Sequence, residues 1–349
     1  MPPAVILFTL VKILLILVVL LTAVAYAVLF ERKVVARMQS RWGPTRVGPP
    51  GLLQPLADAV KLLTKEDITP SSAFRFIYTM APLLSLVFAL LAFAVIPFGP
   101  PLTLGGVDAF QVADPDIGLL FLFAVSSMGV YGITLAGWSS NSKYSLLGSL
   151  RSTAQMISYE LAVGLSVIGV LLMTGSLSLR TIVDAQAGTY WGFLPRWYVF
   201  PQIVGFFCFY VGAIAETNRL PFDMPEAETE LVAGYHTEYS SMKFAMFFMA
   251  EYANMVAVAC VATVLFFGGW HGPLFGPPSL QVVLPLFWFA LKVFCFIFVY
   301  VWLRGTLPRF RYDQLMAFGW KFLMPVALGN VILTSFVIVA WPALSRFWS

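Results

Sequence analysis

The sequence predicts an all-α polytopic membrane protein of about eight transmembrane helices plus an amphipathic interfacial helix. Three observations carry this. Hydrophobic residues fill 60% of the 349 positions, and charged residues only 11%. Mean hydropathy is +0.85. The apolar residues gather in runs near the roughly 20 residues a helix needs to cross a bilayer. Hydrocarbon cannot satisfy an open backbone edge, so each run is expected to be a helix. No internal repeat is visible, which disfavours a transporter built from inverted repeats. The chain reads as a single membrane domain over residues 1–349.

The first span covers about 5–30. Ala23-Val24-Ala25 looks like a signal cleavage site. The run is too long for a signal h-region, however; no positive charge precedes it, and Glu31-Arg32-Lys33 follows it. It is expected to be a retained helix. Next comes an amphipathic stretch over about 52–66. Leu53, Leu56, Ala59, Val60 and Leu63 recur at helical spacing, and Gln54, Asp58, Lys61 and Lys65 form the opposite stripe. Gly43-Pro44 and Gly48-Pro49-Pro50-Gly51 make stiff turns that would aim this helix. It reads either as a surface anchor or as one wall of an entrance for a lipid-soluble ligand.

Further spans are expected at about 76–98, 117–137, 156–175, 198–215, 244–268, 282–303 and 323–345. Of the 21 Lys and Arg, 16 fall in the connections after spans one, three, five and seven. Arg180, Arg196 and Arg346 lie on the opposite side, and Lys12 and Lys292 lie within spans. The Lys/Arg-rich connections should therefore face the cytoplasm, with both termini on the other side. Lys12 is expected to snorkel outward. The basic residues serve topology and contact with anionic lipid; no nucleic-acid partner is expected.

The acidic connection, about 216–243, is the most informative stretch. It holds Glu216, Asp223, Glu226, Glu228, Glu230 and Glu238 in an otherwise apolar chain. Charge is costly beside lipid, so this cluster marks a functional site. Close carboxylates cannot all ionise cheaply, and they titrate as a group. Asp223-Met224-Pro225-Glu226 also reads as a helix start, with Asp as cap and Pro in the first turn. Capping leaves Glu216, Glu228, Glu230 and Glu238 unexplained. Glu160 near the start of span four and Glu251 about two turns into span six lie deeper, with Lys292 a possible counter-charge. Arg32 could organise the acids of the connection.

Cys208, Cys260 and Cys295 are isolated in apolar runs, and His236 and His271 are far apart in sequence. Their spacing gives no metal, iron–sulfur or haem site, and no Gly-rich nucleotide loop is present. Any redox centre would belong to another chain or to a diffusible ligand.

Eight motifs then point to a family: Glu31-Arg32-Lys33, Arg41-Trp42-Gly43-Pro44, Leu53 to Lys61, Lys65-Glu66, Ala215 to Asp223, Glu228 to Tyr235, Met249 to Tyr252 and Leu307 to Leu315. Over essentially the whole chain they resemble the membrane subunit of respiratory complex I that docks the hydrophilic arm, of the bacterial H and mitochondrial ND-one type. The resemblance implies a bacterial inner-membrane subunit of a proton-pumping NADH:quinone oxidoreductase, not catalytic alone. It implies quinone as substrate and no cofactor bound by this chain, with iron–sulfur clusters and FMN in partner subunits. Soluble hydrophilic-arm subunits would complete the quinone chamber, and small membrane and antiporter-like subunits would lie alongside. Carried over by position, Arg32, Arg41 and Asp58 fall near the quinone route. Glu160, Glu216, Asp223, Glu226, Glu228, Glu230, Glu238 and Glu251 fall on the start of a proton path. The rivals are a homologous anchor of a membrane-bound hydrogenase or another donor-linked complex, a stand-alone ion transporter, and a purely structural anchor.

Overall fold

The computed structural model describes residues 3–104, 107–190, 194–223, 232–273 and 277–345. In chain order these form α1 (Pro3–Met38), α2 (Gln54–Thr64), α3 (Arg75–Leu91), β1 (Thr103–Leu104), β2 (Val107–Asp108), α4 (Gly118–Ser139) and α5 (Lys143–Thr174). There follow α6 (Leu179–Asp184), β3 (Thr189–Tyr190), β4 (Leu194–Pro195), α7 (Ile203–Glu216), α8 (Ser241–Phe266), α9 (Pro278–Thr306), α10 (Tyr312–Phe318) and α11 (Met324–Ser345). The architecture is all-α; the strands are two-residue antiparallel pairs, β1 with β2 and β3 with β4. Among the described residues, seven helical stretches are long and apolar enough to cross a membrane, one fewer than the eight expected; α7, where a span over about 198–215 was expected, is apolar but only 14 residues long.

The core lies where α5, α7 and α8 meet, around Tyr159, Phe209, Met255 and Phe266. A second cluster joins Tyr78 of α3 to Tyr235, Tyr239 and Phe247. It ties the far end of the acidic connection to the bundle. Gly148 of α5 allows that contact, because a Cβ there would sit 2.7 Å from Gly234 Cα.

Two helices run longer than hydropathy indicates. α5 starts at Lys143 rather than near 156. Its first turns bury Ser145, Gly148, Ser149, Ser152 and Gln155, while Leu146, Leu147 and Leu150 are exposed. The polar face points inward, so a window average reads it as a loop. Glu160 therefore sits mid-helix, not near a helix start. Likewise α1 continues to Met38, which carries Glu31 and Arg32 on the helix. Its N-terminal end meets the connection after α3, and Lys12 does not snorkel: it is 7% exposed and donates to the Asp108 and Gln111 carbonyls, each at 2.9 Å.

Candidate functional site

The amphipathic helix α2 lies against α1 and α8 and roofs a cavity of about 360 Å³. Leu21, Val24, Val28 and Phe248 give the cavity an apolar body, while Arg32, Gln54, Asp58 and Lys61 form a polar rim. At that rim Arg32 Nη1 donates to Asp58 Oδ2 at 2.6 Å, and Gln54 donates to Asp58 Oδ1 at 3.1 Å. Arg32 also lines a second, wider cavity of about 430 Å³ together with Arg41, Trp42, Glu31 and Arg304. All three residues assigned to the quinone route thus border two cavities that share Arg32. Among the described residues, Arg32 pairs with Asp58 and with no acid of the connection.

Behind the rim is a knot of largely buried charge, of which the sequence reading singled out Glu251 but not its partners. Glu31, 6% exposed, accepts from Arg219 Nη1 at 3.2 Å, from Tyr252 Oη at 3.0 Å and from Arg304 Nη1. Arg219 is 6% exposed; its Nε lies 2.6 Å from Glu251 Oε1, and its guanidinium lies 4.0 Å over the Tyr252 ring. Glu251 is about three turns into α8, deeper than its sequence position indicated. Its counter-charge is Arg219, not Lys292, whose Nζ donates to the carbonyls of Phe267, Gly269 and His271. Buried ions persist only when paired, and each member of this knot is.

From the knot, carboxylates continue inward. Glu251, Asp223 and Glu216 line one cavity of about 40 Å³. Glu216, with Ser126, lines another of about 40 Å³. Such volumes exceed the ~10–15 Å³ needed to admit a water molecule. Consecutive serines of α4 hold the inner pair of acids: Ser126 donates to Glu216 at 2.5 Å, and Ser127 donates to Glu160. Asp223, 4% exposed, pairs with Arg309 at 3.1 Å. Glu238 stands apart from this line, and its backbone carbonyl accepts from Tyr78 Oη at 2.6 Å. Glu226, Glu228 and Glu230, and the helix start expected after Asp223, lie outside the described residues. The sequence signal for Arg219 was its place inside the Ala215–Asp223 motif and for Arg304 its place just before Leu307, but a topology count absorbed both. For Ser126 and Ser127 the signal was a polar pair inside an apolar run.

The fold and site define a multi-pass membrane protein with a buried ion-pair network leading from an interfacial cavity into its helix bundle. A family profile described as NADH dehydrogenase matches residues 11–335, and the chain belongs to that family. Its relatives include the H-type subunits of bacterial NADH-quinone oxidoreductases. It is 58% identical to the second such protein of Koribacter versatilis (strain Ellin345), over 95% of this chain and 97% of the relative. It is 51% identical to the first such protein of Solibacter usitatus (strain Ellin6076), over 93% and 94%. Against the second one of Geobacter metallireducens (strain ATCC 53774 / DSM 7210 / GS-15) it is 53% identical, over 94% of each.

Proposed function

We propose that this chain is the membrane subunit through which an NADH-quinone oxidoreductase couples quinone reduction to proton translocation. Its setting is the bacterial cytoplasmic membrane, with both termini on the periplasmic side. One observation carries the reading: an unbroken run of polar contacts and cavities leads from the Arg32–Asp58 rim, through Glu31, Arg219 and Glu251, to Glu216 beside the serine-held Glu160. The apolar cavity under α2 suits an isoprenoid tail, and its charged rim suits a carbonyl-bearing headgroup. Iron–sulfur clusters and FMN in the hydrophilic-arm subunits would supply the electrons, and those subunits would close the chamber. Small membrane and antiporter-like subunits would receive the coupling.

In this reading Arg32, Arg41 and Asp58 orient the headgroup. Its reduction and protonation change the charge at the rim. Two unit charges about 4 Å apart interact by about 4 kcal/mol at an effective dielectric of 20. A change of one charge is therefore enough to redistribute the partners of Glu31 and Glu251 around Arg219. Coupled carboxylates respond as a set, so the proton occupancy of Asp223, Glu216 and Glu160 shifts with it. Glu226, Glu228, Glu230 and Glu238 are assigned to the same acidic connection.

The test is Glu216→Gln in the assembled complex, checked by native gel. Inhibitor-sensitive NADH:quinone reductase activity and proton translocation in membrane vesicles should fall together. Wild-type values of both would remove Glu216 from coupling and overturn the reading.

A further inference from the structure

Two small cavities flank Glu216. The first is bordered by Ser85, Asn218, Asp223 and Glu251, the second by Ser126 and Phe209. Four residues line both: Met156, Glu216, Thr217 and Asn254. Met156 has no strong hydrogen-bonding group. The Thr217 hydroxyl donates to the Ile214 carbonyl at 3.0 Å, and Glu216 accepts from Ser126 at 2.5 Å. Asn254 differs. It stands three residues after Glu251 on α8, hence on the same face, and it borders both cavities. Two residues lining the first cavity, Ser85 and Asn218, each carry a buried polar atom without a hydrogen-bond partner, Oγ and Oδ1 respectively. Ser85 is 7% exposed, and Gly132 opposite leaves room for it, since a Cβ there would come within 3.0 Å of the Ser85 side chain. Buried polar atoms of this kind are ordinarily satisfied by ordered water when the space is large enough.

We propose that Asn254 is the connector between the two cavities, a positioning residue that orders their water and sets which side of Glu216 exchanges protons. The chemistry of the amide suits this task. It offers two donors and an acceptor but does not titrate. It can donate toward an ionised Glu216 and accept from a protonated one. Rotation about its terminal torsion exchanges the two roles without moving the helix. The proton stays on carboxylates and water throughout, and Asn254 holds none. The inference rests on the coupling reading of Glu216 given above.

The experiment uses Asn254→Leu, which keeps the branched side-chain shape and removes hydrogen bonding, in the assembled complex in membrane vesicles. Glu216→Gln, Asn254→Gln and Asn254→Asp are measured beside it. Quinone-linked NADH oxidation in Asn254→Leu should slow about tenfold, less than the ~10²–10⁴-fold a proton-transferring group itself contributes, because Asn254 only positions the water. Its solvent deuterium isotope effect should rise, and Asn254→Gln should recover part of the loss. An assembled Asn254→Leu complex with wild-type turnover and isotope effect overturns the inference, as does slowing with an unchanged isotope effect, which would mark packing alone. If Asn254→Leu fails to assemble, Asn254→Asp decides: an altered pH profile supports the connector, and a wild-type profile overturns it. Failure of this inference alone is recognisable, because Glu216→Gln would still be impaired. If Glu216→Gln is also unimpaired, the coupling reading has failed with it.

Discussion

At one end of the bundle Glu31, Arg219, Glu251 and Arg304 neutralise one another side chain to side chain. At the other end Lys12 rests on the carbonyls of Asp108 and Gln111, and Lys292 on those of Phe267, Gly269 and His271. Both ends bury charge, but the four cavities described above border the first: none of them is lined by Lys12, Asp108, Arg180 or Lys292. A carboxylate can take a proton or change partner when a nearby charge changes. A backbone carbonyl can do neither. Burial of charge therefore does not by itself mark function; exchangeable partners beside a cavity do.

The sharpest way to break this comparison is Arg219→Ala. It would leave Glu31 and Glu251 without their shared partner, and stranding a buried ion costs about 3–5 kcal/mol. Quinone reductase activity of the assembled complex should fall by about a hundredfold or more, because the part of that cost carried into the coupling step slows it tenfold for each ~1.4 kcal/mol on its barrier. Arg219→Lys should recover only part, because one ammonium cannot replace the guanidinium fork. Wild-type turnover in Arg219→Ala would reduce the knot to a structural fastening.

At the opposite end, Lys12→Met and Lys292→Met should do the reverse. Each leaves two or three carbonyls short of a donor, worth about 1–3 kcal/mol of stability. The yield and thermal resistance of the complex should drop while the turnover of what assembles stays near wild type. Loss of turnover without loss of stability would show that the two ends are not different in kind.

Much of this was legible in the sequence. Long apolar runs gave the spans, and helical spacing from Leu53 to Leu63 gave α2. The acids stood out because little else is charged. What stayed hidden was what the fold decides. The first turns of α5 read as a loop because Ser145, Ser149, Ser152 and Gln155 face inward at helical spacing, and averaged hydropathy has no direction. Glu31 and Arg219 are 188 residues apart, a distance no local pattern bridges. Lys12 looked destined for the membrane surface because a carbonyl cage 96 and 99 residues away is invisible in its own helix.

A smaller effect tests the region between the acidic connection and α8. His236 lies in the short turn Gly234–His236 against Tyr235 and Phe244, and burial pushes its imidazole down from 6.5 to about 4. The folded segment holds it neutral, while the unfolded one binds a proton below 6.5. Stability here is thus intact above pH 6.5 and is lost as pH falls toward 4, by at most about 1.4 kcal/mol per pH unit. Hydrogen exchange across residues 232–243 should accelerate over that window, and His236→Phe should flatten the dependence. A flat profile in the wild type would mean that the turn opens without exposing His236.

The smallest expected effect concerns how α2 is held. None of its residues is buried, so its position depends on a few polar ties. Besides the Arg32–Asp58 pair, Ser241 Oγ at the start of α8 donates to the Leu62 and Lys65 carbonyls at 3.0 and 3.1 Å, and Lys243 pairs with Asp67 at 2.9 Å. This latch joins the roof of the 360 Å³ cavity to the end of the acidic connection. Ser241→Ala removes one hydroxyl, worth about 1 kcal/mol, from a position that touches no acid of the path. The KM for quinone should rise a few-fold, about fivefold for ~1 kcal/mol, with kcat little changed, because the loss falls on the cavity and not on the ion-pair knot. A kcat that falls with KM unchanged would place Ser241 with the coupling region instead and move the boundary between binding and coupling from Arg32 to the start of α8.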